Sequence, residues 1–269
     1  MKKVLIVAVF FLLTMVIAAC GTSSGGSSSE GAVETEEGYK LVKKDSFSFA
    51  SSGEFKPFSM TDGSGEMSGF DIDVANAVAK ELGLEPVQHK QSFATIVEGV
   101  KNGRFDVAVA SHTITEERLK EIDFSIPYYY SGAQIFVRPD SDIQTLDDLK
   151  GLEVAVSRGS TYADLMSEVT DNIIYYDSDV VALETLNTGR HDAVVTDFVT
   201  GREAIGAGMV LEGRELLERS EQAIGVAKGN DKLLEAINEA LQKLRDSGEL
   251  AEISEKYFGE DITTDPDDQ

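Results

Sequence analysis

Between Lys40 and Phe258, short apolar runs alternate with stretches patterned for amphipathic helices, and this alternation restricts the chain to an α/β protein with largely parallel sheets. After Gly69-Phe70, residues Ile72, Ala75, Ala79 and Leu82 recur at three- and four-residue steps, and Gly83 follows where a C-cap glycine belongs. The spacing predicts a helix there. A second helix is predicted from Asp231 to about Ser247, with Leu233, Ile237, Ala240, Leu241 and Leu244 as its apolar stripe and Gly248 at its end. Ser46–Ala50, Val107–Ala110, Val154–Val156 and Ala193–Thr196 are candidate buried strands. A length of 269 residues suits one large or two modest domains.

Charge and cysteine content exclude several functions. The chain has 24 Lys and Arg against 48 Asp and Glu, a formal charge of −24. That sign is wrong for neutralising a phosphate backbone, so nucleic acid is not an expected partner. One Cys forbids an internal disulfide, and His89, His112 and His191 are too scattered to form a metal-ligand cluster. No metal, cofactor or catalytic residue is expected.

The N-terminus reads as an export signal. Lys2-Lys3 precede an apolar run, Val4 to Ala18, that is too short for a spanning helix and suited to a secretory signal peptide over residues 1–19. The run ends in Ile17-Ala18-Ala19-Cys20, which resembles a bacterial lipobox and implies acylation of Cys20. The alternative is an ordinary signal peptide with an incidental Cys. The expected location is the extracytoplasmic face of the envelope, at the cell surface or in the periplasm, with the membrane reached through the lipid. Residues 20–40 hold the lipidated Cys and a linker whose Gly21–Gly38 stretch of Ser, Gly and Glu reads as a flexible tether. The chain after Gly259 reads as a solvated acidic end, with 264–269 as the tail proper.

One internal echo bears on architecture. Asn102-Gly103-Arg104-Phe105-Asp106-Val107-Ala108-Val109 is answered by Thr188-Gly189-Arg190-His191-Asp192-Ala193-Val194-Val195. It is either ordinary turn chemistry or the mark of two similarly built lobes. In open α/β sheets ligands sit beyond the carboxyl ends of the strands, which draws attention to the residues after Val109 and Val195.

The first such stretch is Ala110-Ser111-His112-Thr113-Ile114-Thr115-Glu116-Glu117-Arg118, with Thr113 and Thr115 as N-cap candidates. Arg118, in the first turn of the helix that follows, suits bidentate capture of a carboxylate or, equally, pairing with Glu117 or Glu121. Ser157-Arg158-Gly159-Ser160-Thr161 reads as strand, glycine turn and hydroxyl-capped helix start, an arrangement that binds anions or merely caps. Asp197 either accepts from a ligand ammonium or caps the next helix. A carboxylate site in one lobe and an ammonium site in the other suggest an α-amino acid.

Gly69-Phe70-Asp71-Ile72-Asp73, Thr113-Ile114-Thr115-Glu116-Glu117-Arg118 followed by Ile122-Asp123-Phe124-Ser125-Ile126-Pro127-Tyr128, and Ser254-Glu255-Lys256-Tyr257-Phe258-Gly259 together resemble the polar amino-acid solute-binding proteins of bacterial ABC importers, over roughly Phe47 to Ile262. The resemblance implies a type II periplasmic-binding-protein fold: two α/β lobes, 41–132 with 222–263 and 133–221, joined by crossovers near Gly132–Arg138 and Gln222–Lys228. It implies that Arg118 holds the ligand α-carboxylate with Thr113, Ser160 and Thr161, and that Asp197 takes the α-ammonium with the Ala110-Ser111 region. Phe55 and Phe93 become aromatic walls. Ser52 stands where many members carry a side-chain-contacting Asp or Glu.

The expected protein is therefore a monomeric, lipid-anchored receptor that captures a free L-amino acid and delivers it to an ABC permease. It is expected not to be an enzyme; the alternatives are a dehydratase resembling cyclohexadienyl dehydratases, with Glu54 as its acid, and a sensor module. A lining of Ser52, Phe55, Phe93, Ser111, Ser157 and Thr161 carries no charge toward the ligand side chain. The favoured ligand is thus neutral and polar, such as glutamine or cystine, unless Glu54 turns inward.

Overall fold

The computed structural model describes residues 32–266. Eight strands form its main sheet: β1 (Ser46–Ser51), β2 (Glu85–Lys90), β3 (Val107–Thr113), β4 (Ile122–Val137), β5 (Val154–Ser157), β6 (Ile173–Tyr176), β7 (Ala193–Asp197) and β8 (Glu212–Ala227). The helices are α1 (Phe70–Glu81), α2 (Phe93–Lys101), α3 (Glu116–Glu121), α4 (Thr161–Ser167), α5 (Asp179–Asn187), α6 (Phe198–Gly206), α7 (Asp231–Ser247) and α8 (Glu249–Phe258). The four strands expected from sequence are present, each extended at its carboxyl end, and both expected helices stand where the apolar spacing put them. The stripe of α7, Leu233, Ile237, Ala240, Leu241 and Leu244, is buried throughout, and Gly248 ends the helix at φ 83°.

The strand order is β6-β5-β7-β4-β8-β3-β1-β2. Read from either edge the sheet is the same: three parallel strands, then a long antiparallel one contributed by the other half of the chain. The long strands β4 and β8 pair with each other from Ile122↔Ala227 to Val137↔Glu212, with register shifts on the way. They serve both halves. One half packs its core around Phe47, Phe49, Phe70, Val107, Ile237 and Leu241, and the other around Ile135, Phe136, Val154, Leu183, Leu186 and Val195.

The sequence echo is a structural one. In each half a helix ends, a glycine at positive φ follows (Gly103, 68°; Gly189, 83°), and an aspartate reciprocally bonds the backbone of a neighbouring strand. Asp106 N donates to Ser48 O while its Oδ2 accepts from Ser48 N at 2.7 Å; Asp192 N donates to Glu153 O while its Oδ2 accepts from Glu153 N at 2.9 Å. A short side chain that satisfies the backbone donor beside it sets where each parallel strand begins.

Two segments differ from expectation. The end of the presumed tether is ordered: Val33–Glu34 pairs antiparallel with Lys40–Leu41, and Asn230 clamps Lys40 through bonds to its N and O. Val33, Thr35 and Tyr39 interrupt the Ser/Gly composition with strand-forming residues, and Tyr39 packs on the core. The start of the acidic end is also docked. Ile262 and Thr263 are buried, and Tyr130 N donates to Ile262 O, because one apolar residue in the acidic run is enough to seat it. The signal segment and Cys20 lie outside the described residues.

Candidate functional site

A cavity lies between the two halves at the carboxyl ends of β1, β3, β5 and β6, where the strand rule directed attention. Of the sequence candidates, Ser52, Phe55, Phe93, Ser111, Thr113, Arg118, Ser157, Ser160 and Thr161 line it. The structure thus gathers residues from four separate segments.

Arg118 reaches the cavity because Thr115 caps α3, its Oγ1 accepting from Arg118 N at 3.2 Å. The guanidinium donates to Thr113 O (2.8 Å) and across the cleft to Gly159 O (3.1 Å), both neutral carbonyls, and its Cζ lies 5.7 Å from the Phe93 ring centroid. Burial pushes its pKa down, with Asp164 opposing. Phe93 stacks at 4.4 Å on His112, whose buried imidazole is held well below its usual pKa and is neutral. Phe55 stacks at 4.8 Å on Phe58, and Phe58 at 4.9 Å on Tyr129, so the second aromatic wall is backed by the core.

Ser52 Oγ meets Ser59 Oγ at 3.1 Å and accepts from Glu54 N at 3.3 Å, tying down the loop that carries Phe55. Ser160 caps α4, accepting from Ala163 N and donating to Ser157 O. The buried Ser157 Oγ has no hydrogen-bond partner and lies near the Asp179 carboxyl.

Two candidates are not in the lining. Ala110 is on β3, and its side chain packs in the core with Ala50, Ile96 and Val100. Asp197 serves as a cap: its Oδ1 accepts from Val199 N (2.8 Å) and Thr200 N (3.4 Å), and its Oδ2 from Ser131 Oγ. Both oxygens are engaged at the start of α6, away from the cavity surface. Burial raises its pKa to about 6.

The expectation of an uncharged lining also needs correction. Glu54, Asp177 and Asp179 line the cavity with Arg118, and Tyr162 lies beside Thr161. The Glu54 carboxylate is 2.8 Å from Lys90 Nζ, and Asp177 is 3.4 Å from Arg158 Nε. Asp179 is buried and accepts from Thr196 Oγ1 at 2.6 Å. Asp177 and Asp179 were missed because Ile173–Tyr176 was not read as a strand; the strand-end rule would otherwise have flagged them. The halves also meet directly: Ser178 Oγ donates to Glu54 O at 3.0 Å, and Lys56 lies 3.2 Å from Glu203. Among the described residues no group of three or more His, Cys, Asp or Glu side chains is placed to hold a metal ion.

Residues 47–260 match the model of the bacterial extracellular solute-binding proteins, family 3. The chain belongs to that family. It is 33% identical over 218 residues to the L-cystine-binding protein TcyJ of Escherichia coli (strain K12), covering 78% of this chain and 82% of the relative. An ancestral arginine-binding protein bound to glutamine superimposes with TM-score 0.75 at 35% identity, over 81% of this chain and 100% of the other. An ancestral amino-acid-binding protein described as a precursor of cyclohexadienyl dehydratase does so with TM-score 0.75 at 29% identity, over 80% of this chain and 96% of the other. The fold is the type II periplasmic-binding-protein fold expected from the sequence.

Proposed function

We propose that this family member captures one free L-amino acid between its two lobes, 41–132 with 222–263 and 133–221, and delivers it to the permease of an ABC importer. The observation that carries this reading is Arg118, a half-buried guanidinium aimed into the interlobe cavity with only carbonyls as hydrogen-bond partners and an aromatic ring beside it. Such a group suits a ligand α-carboxylate, with Thr113, Ser160 and Thr161 as its neighbours in the lining. Relatives named for cystine and arginine binding support the substrate class. A ligand that touches both lobes only when they meet shifts the population toward closure, and contacts such as Arg118 to Gly159 O belong to that closed arrangement.

For the side chain we retain a neutral polar amino acid, glutamine or cystine. Glu54 and Asp177 bring negative charge to the outer end of the cavity, but each is met by a cation of its own lobe, Lys90 or Arg158. The remaining lining is hydroxyls and two rings. A lysine or arginine side chain would find no carboxylate left unpaired there except the fully buried Asp179. Ligand transfer rather than turnover is our reading, because Glu54, the acid a dehydratase would need, is committed to Lys90. In a thermal-shift screen of the twenty amino acids with cystine and ornithine, a neutral polar compound should bind at about micromolar affinity or tighter, about −8 kcal/mol. Arginine or lysine binding tenfold tighter than every neutral candidate would overturn the side-chain reading.

The anchor reading rests on Cys20, the single Cys of the chain. Replacing it, Cys20→Ser, should move the protein from the membrane fraction to the soluble one. Retention in the membrane pellet after normal signal cleavage would point to another anchor. A monomer suffices for this function, since one chain supplies both walls of the cavity.

A further inference from the structure

We propose that Asp71, a fully buried carboxyl that does not reach the cavity, is the counter-charge for the ligand's α-ammonium and acts through Ser111 as a positioning residue. The inference rests on the amino-acid reading above. It starts from a gap in the site: an α-ammonium needs an acceptor, and both oxygens of Asp197 are already engaged by Ser131, Val199 and Thr200.

Behind Ser111 the structure holds a closed ring of hydrogen bonds. Tyr128 Oη donates to Asp71 Oδ1 at 2.6 Å, Ser111 N donates to Tyr128 Oη at 3.0 Å, and Ser111 Oγ donates to Asp71 Oδ2 at 2.8 Å. Ser111 is held at φ 58°, a left-handed conformation that is uncommon outside glycine. Asp71 is itself fixed by its place in α1: Asp71 N bonds Phe58 O and Phe70 N bonds Pro57 O, and a Cβ on Gly69 would sit 2.3 Å from Phe58 O.

The consequence is a matter of proton placement. An ionised Asp71 accepts from both hydroxyls, so the only proton of Ser111 Oγ points inward to the carboxylate. The lone pairs of that oxygen are then left for the cavity, and a lining hydroxyl with only lone pairs outward is an ammonium acceptor. A hydroxyl that donates to a carboxylate is also polarised, which carries part of the buried negative charge to the cavity surface.

The electrostatic neighbours fit this role. The titratable groups that face Asp71 are Tyr128 and Tyr129 on β4, both held well above their usual pKa by burial, and Asp197 at the end of β7, which repels it. No cation is among them: Lys256 of α8 is committed to Asp73 on the other side of α1. Burial, against the two hydroxyl bonds, raises the Asp71 pKa to about 7. A ligand ammonium one hydroxyl away favours the ionised form. Binding below neutral pH should therefore release a proton.

The test uses the full chain and three probes, L-glutamine, L-cystine and L-arginine, titrated calorimetrically. In Asp71→Asn the amide donates to Ser111 Oγ and turns the hydroxyl proton toward the ammonium. Affinity for any probe the unaltered protein binds should fall by about 30-fold or more at pH 8, with the thermal midpoint kept, since the change removes a buried charge without changing shape. The affinity of the unaltered protein should fall as pH drops below about 7, approaching tenfold per unit, and this slope should vanish in Asp71→Asn. Asp71→Asn combined with Ser111→Ala should bind about as weakly as Ser111→Ala alone, because one chain of bonds is broken twice. Additive losses, or an Asp71→Asn protein within threefold of normal with its pH slope intact, would overturn the proposal while leaving the amino-acid reading standing. Failure of the unaltered protein to bind any amino acid in the screen would overturn that reading instead, and this one with it.

Discussion

Replacing Arg118 with alanine is expected to weaken amino-acid binding by about 30-fold to several thousand-fold, or about 2–5 kcal/mol, the range for losing one partner of a desolvated charge pair. The loss should be one of binding and not of folding. Arg118 sits on the six-residue α3, which has no buried residue, and its side chain holds only two carbonyls. Its bond to Gly159 O is among the contacts between lobes, so the variant should also close less readily. Calorimetry with a compound that scored in the thermal screen measures the first effect, and the unchanged melting midpoint of the ligand-free protein checks the second. Arg118→Lys keeps the charge without the planar fork and should fall between the two. Undiminished affinity in Arg118→Ala would remove the site assignment altogether.

The second large effect is on stability, and its sign runs against helix propensity. Gly201 lies inside α6, where alanine is ordinarily better than glycine by about 1 kcal/mol. A Cβ at this position would lie 1.9 Å from Cζ of Phe136 and 2.2 and 2.3 Å from its two Cε atoms. Phe136 is fully buried among Ala155, Leu183, Leu186 and Val194, so its ring has nowhere to move. Overpacking wins: Gly201→Ala should cost about 2–4 kcal/mol and lower the melting midpoint by about 5 °C or more. Phe136→Leu alone leaves a void, and the double variant should be more stable than the sum of the two losses predicts. A Gly201→Ala protein as stable as the original would mean that α6 stands farther from β4 than the structure has it.

How far the sequence carried can be judged residue by residue. The helix from Asp231 was legible because its stripe is regular and its cap is a glycine, and both signals are local. The echo around Asp106 and Asp192 was legible as a pattern, but its meaning lay in bonds to Ser48 and Glu153, 58 and 39 residues away. The lining residues of strand ends already identified, Ser111 to Arg118 and Ser157 to Thr161, were found. Asp177 and Asp179 were not, because Ile173–Tyr176 is partly exposed and lacks the continuous burial that marks a central strand. Asp197 was placed near the site, but its choice between capping and ligand contact is decided by Ser131, a residue with no sequence signal linking it to either role. Asp71 was visible only as part of a motif; that it closes a ring with Tyr128 and Ser111 depends on two loops meeting.

The sheet that reads alike from both edges has a bearing on recognition. Two halves of one design, joined by a pair of strands exchanged between them, form a frame with nearly twofold character, whereas an α-amino acid has no such axis. The frame therefore offers the ligand two similar floors and cannot by itself tell head from tail. Orientation falls to the few places where the halves disagree: a guanidinium after β3 where β7 ends in a capped aspartate, and a carboxylate pair after β6 where β2 gives way to Phe93. Changes of specificity should accordingly concentrate at those unmatched strand ends, with the paired architecture beneath them left as it is.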